Sequence, residues 1–161
     1  MLKGEQHLWE VMHMGMRAGL VALAGFLAAL GLAVGISSAA EMGMAAATQM
    51  KTAITHAKLS QTFETAAGVK EHLQHVVNCI EGSKGPMFKA MGGNPCQGQG
   101  NGLLADAKSA GGKYAGAVAW IELANENAAL GLKATSLVKA KAAGWAAQAL
   151  LEHAEKGMMM K

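Results

Sequence analysis

The hydrophobic pattern of the chain begins with one long apolar segment. Residues 18–40 contain no charged side chain, and residues 18–36 are almost purely apolar. A helix rises about 1.5 Å per residue, so a segment of this length can cross a bilayer core of roughly 30 Å. The pattern therefore predicts that residues 1–40 form either a cleaved signal peptide or a retained membrane anchor.

Two features of this segment favour different alternatives. The small side chains at 38–40, directly before Glu41, suit a signal peptidase, and Arg17 supplies a positive charge on the entry side. The apolar run, however, exceeds the roughly 7–15 residues of a usual signal peptide, which favours an anchor. Under both alternatives we expect residues 41–161 to form a periplasmic domain, either soluble or anchored to the inner membrane.

The rest of the chain predicts an all-α fold of four helices and one glycine-rich loop. Segment 82–102 contains seven glycines and both prolines of the chain, so regular structure should fail there. Gly111 and Gly112 can interrupt the third helix, and Gly131 is a plausible stop before the last one. The predicted helices, which we expect to pack as a four-helix bundle, cover residues 42–62, 65–81, 103–130 and 133–156.

The composition agrees with tightly packed helices. The chain has 161 residues, 52% of them apolar but only 4% aromatic, with 33 alanines, 21 glycines and 12 methionines. Side chains this small fill space only where backbones approach closely, which favours helices over a β-sandwich. The net charge of +3 is not concentrated in any basic run, so nucleic acid is not an expected partner.

The two cysteines, Cys79 and Cys96, lie 17 positions apart, at the end of the second helix and in the glycine-rich loop. In an exported protein such a pair is most simply a disulfide that attaches the loop to the helix. Thiolate ligation of a metal is the alternative. The haem-attachment pattern C-x-x-C-H is absent from the sequence.

Four histidines, His56, His72, His75 and His153, lie on predicted helices of the exported domain. If the first hairpin turns near residues 64 and 65, His56 lies level with His72 and His75. If the last hairpin turns near residue 131, His153 lies beside Ser109, at the same end of the bundle. Imidazoles from facing helices are common ligands of copper, zinc, nickel and haem iron.

The sequence therefore predicts a metal or haem site with His56, His72, His75 and His153 as ligands. Glu71 and Glu152, which are close to these histidines along the chain, are candidates to hydrogen-bond the ligating rings. The alternative is that all four are surface histidines on alanine-rich helices.

The methionines raise a second question. Thioethers bind cuprous copper, but methionine also fills gaps in helical cores. We expect Met50 to be such a core residue. The role of the run Met158-Met159-Met160 stays open.

One stretch of sequence resembles a pattern of small, uncharacterised exported helical proteins of bacteria. It joins the second helix, HLQHVVNCIEG at 72–82, to the loop sequence NPCQGQGNG at 94–102. A looser likeness, to small periplasmic metal-binding proteins with histidine-bearing helices, rests on THAK at 55–58 and EHAEK at 152–156. This chain departs from that second group by having fewer histidines and two cysteines. The resemblance implies export and a helical bundle, and suggests a metal.

We therefore expect a periplasm-facing bundle that binds a transition metal or haem. The alternative is a non-catalytic accessory or scaffold subunit, held by its N-terminal helix in a larger envelope complex. The expected partners are the membrane, if the N-terminal helix is uncleaved, and either further copies of this chain or such a complex. An enzyme is not expected, because no pairing of a nucleophile with a base is readable in the sequence.

Overall fold

The computed structural model describes residues 38–90 and 92–160. The predicted signal peptide or anchor falls almost entirely on residues outside this range. Among the described residues, no helix is both long enough and apolar enough to span a bilayer.

Every element of regular structure in the described part of the chain is a helix, and no β-strand is present there, which confirms the all-α prediction. It comprises five α-helices and one 3₁₀ helix. They are α1 (residues 38–62), α2 (Ala66–Glu81), α3 (Leu103–Ala110), the 3₁₀ helix (Gly112–Ala117), α4 (Val118–Lys133) and α5 (Leu137–Met159).

The first two helices form the predicted hairpin, with a short turn at residues 63–65. Thr65 is the N-cap of α2, and its hydroxyl accepts a hydrogen bond from the backbone N–H of Gly68 at 3.2 Å. Such a cap satisfies one of the free N–H groups at a helix start, so the turn position is fixed locally. The two helices therefore run antiparallel from a defined point.

The predicted third helix is in fact two helices. The chain breaks at Gly111 and Gly112, whose φ angles of 63° and 52° are left-handed, and the 3₁₀ helix follows. The prediction that Gly131 ends a helix was wrong, because Gly131 is buried within α4. Instead α5 begins at Leu137, where the Ser136 side chain caps it by accepting from the N–H of Lys139 at 3.3 Å.

Alanine is the commonest residue of the core, with ten of its 23 buried members, as the composition predicts. Small side chains let helices approach closely, and α1 and α5 are an example of such a close contact. A Cβ atom on Gly144 of α5 would overlap the hydroxyl of the buried Ser60 on α1. Met50 is fully buried, which confirms its expected place in the core.

Loop 82–102 packs against the last two turns of α2. Cys79 and Cys96 form the predicted disulfide, with their Cα atoms 5.2 Å apart. Eight consecutive residues of α2, 73–80, are buried, because the bundle covers one side of the helix and the loop covers the other. The loop therefore completes the environment of α2 where His72 and His75 lie.

Candidate metal centre

Three of the four predicted histidines meet at the contact between α1 and α2. The ring of His56 on α1 stacks on the ring of His72, with centroids 5.3 Å apart, and meets the edge of His75 at 4.7 Å. The rings of His72 and His75 lie 5.6 Å apart. The hairpin thus places His56 level with His72 and His75, as the turn position predicts.

The ring nitrogens of these histidines lie at nearly the separation that a shared metal requires. Nδ1 of His56 is 3.0 Å from Nδ1 of His72 and 3.2 Å from Nδ1 of His75. One ring nitrogen of each residue lies within 4.8 Å of those of the other two. Zinc bonds to imidazole at about 2.0–2.1 Å, so two ligands on a tetrahedral ion are about 3.3 Å apart. A small movement of the rings would therefore admit an ion.

The loop orients His75. Its Nε2 lies 3.0 Å from the backbone carbonyl oxygen of Gly92. A carbonyl oxygen only accepts hydrogen bonds, so Nε2 of His75 is the nitrogen that carries a proton. In the neutral form of the ring, Nδ1 then presents its lone pair toward His56. Metal-ligating histidines usually donate their second N–H to a carboxylate or a backbone carbonyl in this way.

Burial and nearby charges keep His56 and His72 neutral near pH 7. Burial, followed by the charges of His75 and His72, lowers the pKa of His56 from 6.5 to about 4. Burial, followed by the charge of His75, also lowers the pKa of His72, while Glu71 acts in the opposite direction. Imidazole binds a metal only in its neutral form, so these shifts leave the nitrogen lone pairs available over most of the physiological range.

In the absence of a metal, one proton can be shared in hydrogen bonds among the three close nitrogens. If Nδ1 of His56 is protonated, it can donate toward the lone pairs of His72 and His75. A cation among the same three nitrogens would satisfy all three lone pairs at once.

Phe63 covers one side of the cluster, with the centroid of its ring 4.6 Å from that of His72.

His153 does not join this group. Its exposed ring packs against Trp120 of α4, with the centroids 4.2 Å apart. It does not lie beside Ser109 because the last hairpin turns at residues 134–136 rather than at Gly131. Among the described residues, the cluster with metal-ligand geometry contains only His56, His72 and His75.

The two predicted carboxylate partners lie in different places. Glu71 is close to the cluster: a Cβ atom built on Gly92 would be 3.1 Å from Oε1 of Glu71 and 3.2 Å from Nε2 of His75. Glu152 instead forms an ion pair with Lys58 at 3.0 Å and accepts a hydrogen bond from Gln148 at 2.9 Å. Its described partners are therefore not the histidines.

Polar side chains of α2 hold the loop, and the sequence analysis did not predict this role. Asn78 is fully buried, donates to the Lys89 carbonyl at 2.6 Å and accepts from the Lys89 N–H at 3.1 Å. Gln74 donates to the carbonyl of Met87 at 2.9 Å, and Glu81 accepts from the Met87 N–H at 2.7 Å. Gln74, Asn78 and Glu81 lie close to His75 and Cys79 along the same helix. That clustering of polar residues beside a loop-bound cysteine could have indicated that they contact the loop.

A second buried polar group lies at the far end of the loop. The Asp106 carboxylate, only 1% exposed, accepts from the Gln49 side chain at 2.6 Å, the Asn101 backbone at 2.9 Å and the Asn101 side chain at 3.1 Å. These three donors replace the water that the carboxylate loses on burial. Asp106 thus joins α1, α3 and the loop.

Comparison with known proteins does not assign this chain to a family. No family model, curated protein or solved structure matches the chain. The function of this chain is therefore inferred from the geometry and chemistry of the histidine site.

Proposed function

We propose that this protein binds one divalent transition-metal ion through Nδ1 of His56, His72 and His75. The single observation that carries the proposal is the convergence of these nitrogens, with separations of 3.0 and 3.2 Å about Nδ1 of His56. The hydrogen bond from His75 to Gly92 supports it, because it directs the free lone pair of His75 into the cluster.

The ligand set favours a bare ion over haem. The three rings are in mutual contact, with centroids 4.7–5.6 Å apart. A macrocycle inserted between two of them would force the hairpin open, whereas an ion needs only small ring movements. Three imidazoles suit zinc, copper and nickel.

The proposed site has three protein ligands, which leaves a tetrahedral ion one open position. Among the described residues, no cysteine or carboxylate completes the group. Three-ligand sites of this kind take water or an exogenous ligand in the fourth position, whereas purely structural zinc sites are closed by four protein ligands. We infer a metal that exchanges a ligand with solvent.

We also propose that the domain works in the periplasm. The disulfide between Cys79 and Cys96 supports this location, because disulfides persist mainly in oxidising compartments. The long apolar segment 18–36 is the second supporting feature.

The test is a competition titration of full-length, metal-stripped protein with Zn(II), Cu(II) and Ni(II) against a chromogenic chelator. We expect one equivalent of metal per chain, and an affinity at least about tenfold weaker in His56→Ala and His72→Ala. His153→Ala removes a histidine from outside the cluster and should bind as the wild type does. Absence of binding, or equal binding by all four proteins, would overturn the proposal.

A further inference from the structure

A groove lies between the last turns of α5 and the start of α4, away from the histidine cluster. It has a volume of about 470 Å³. The residues that matter to its chemistry are Gly116, Trp120, His153, Gly157, Met159 and Met160. One imidazole, one indole and two thioethers therefore line the same groove.

The end of α5 carries most of these groups. Gly157 follows His153 by one helical turn, α5 ends at Met159, and Met160 is its C-cap with an extended backbone. A Cβ atom on Gly157 would meet nothing within 4 Å, and the same holds for Gly116 on the opposite side. The two glycines therefore leave open space between His153 and the methionines.

The methionine side chains are free to move into this space. Met159 and Met160 are 61% and 67% exposed, whereas the neighbouring Met158 is buried in the core. Methionine has three rotatable side-chain bonds, so an exposed methionine can reorient around a ligand at little cost. Trp120, 40% exposed, forms the facing wall and already contacts the ring of His153.

We propose that this groove is a second metal site, specific for a soft monovalent cation such as Cu(I). The ligands are the thioether sulfurs of Met159 and Met160 and a ring nitrogen of His153. Thioethers are soft ligands that select Cu(I) over harder divalent ions. The indole face of Trp120 adds a cation–π contact and shields the ion from water.

Lys156 also lines the groove, and its positive charge opposes a bound cation. The residue is exposed, so solvent screens that charge. Binding of Cu(I) by thioethers depends on ligand softness rather than on net charge, so the site tolerates the lysine. This chemistry distinguishes the groove from the cluster of three imidazoles, and neither site requires the other.

The test uses Ag(I), a soft monovalent ion that needs no reductant and so leaves the disulfide intact. Full-length protein carrying ¹³C-methyl methionine is titrated with silver nitrate in chloride-free buffer, and each methyl resonance is followed by NMR. We expect the methyl signals of Met159 and Met160 to shift together and to saturate at one equivalent. Trp120 fluorescence should change at the same equivalence point, and Trp120→Phe should remove that change.

The deciding variant is Met159→Leu/Met160→Leu, which retains apolar bulk but removes both thioethers at exposed positions. It should bind Ag(I) in the groove at least about tenfold more weakly, as read from Trp120 fluorescence. The matched control is Met44→Leu, since Met44 is 67% exposed on α1. Unchanged affinity in the double variant, or shifts at Met44 as large as those at Met159 and Met160, would overturn the proposal.

Discussion

The carbonyl oxygen of Gly92 lies 3.0 Å from Nε2 of His75, so a loop residue determines which ring nitrogen of this α2 histidine donates a hydrogen bond. The loop is in turn held by Asn78 and by the disulfide, one turn further along the same helix. The histidine cluster therefore depends on the loop as well as on the hairpin that brings its three rings together.

Substitution of Gly92 tests this dependence. In Gly92→Ala the new methyl would lie 3.2 Å from Nε2 of His75, on a backbone with φ of 73°. The crowding should displace His75, and we expect Zn(II) affinity to fall about tenfold, as for loss of a partner that orients a ligand. Competition titration measures the change.

Gly98→Ala is the matched control for that experiment. Gly98 has a nearly identical φ of 75°, but a Cβ atom there meets nothing within 4 Å. It therefore carries the same backbone strain without the contact to His75. Equal losses of Zn(II) affinity in both variants would show that strain in the loop, and not the orientation of His75, is responsible.

The disulfide should make a large contribution to stability. Replacing both Cys79 and Cys96 by serine releases the loop, and the free energy of unfolding should fall by about 3 kcal/mol, the entropy term for a loop of this length. Urea denaturation with and without the substitutions measures the difference. An unchanged unfolding midpoint would mean that Asn78 and Gln74 hold the loop without the covalent bond.

Acid should destabilise the metal-free protein through His56. Because the pKa of His56 is lowered to about 4, the unfolded chain binds a proton between pH 6.5 and pH 4 that the folded chain does not. The free energy of unfolding should therefore fall as the pH drops through this window, and His56 should have no effect above it. The lowered pKa of His72 adds to the same trend.

Urea denaturation as a function of pH, in the presence of a metal chelator, measures this effect. His56→Gln removes the titrating group and should flatten the profile between pH 6.5 and pH 4. A profile equally steep in the variant would assign the acid sensitivity to other groups.

The buried carboxylate of Asp106 should matter for folding but not for metal binding. Asp106→Asn places an NH₂ group among three donors that need an acceptor, so stability should fall by about 2 kcal/mol. Thermal unfolding measures the loss, and Zn(II) affinity should be unchanged at temperatures where the variant is folded. A weakened metal site in the folded variant would show that the two ends of the loop are coupled.

The position of His56 relative to His72 and His75 was predictable, because a short hairpin with a well-marked turn fixes the heights of residues on its two helices. The disulfide was predictable from its spacing and the expected compartment. His153 was misplaced for the same physical reason, since the last turn lies at 134–136 instead of at Gly131. When a hairpin turn is shifted by a few residues, each residue faces a position on the other helix that is about one helical turn or more away from the expected one.

The contacts of the loop could not be predicted. Asn78, Gln74 and His75 bind backbone groups of Lys89, Met87 and Gly92, whose positions depend on the path of a segment without regular structure. The sequence pattern marks these side chains as polar positions on a buried helix. The pattern does not predict which backbone group of the loop each side chain binds.

A ¹⁵N NMR spectrum of the histidine side chains, recorded before and after one equivalent of Zn(II), shows whether the three clustered rings hold the metal. We predict that the Nδ1 signals of His56, His72 and His75 move to metal-bound positions while the Nε2 proton of His75 is retained. The ring of His153 should stay unchanged. Retention of the metal-free spectrum by those three rings in the presence of Zn(II), or a shift confined to His153, would show that the cluster does not bind the ion.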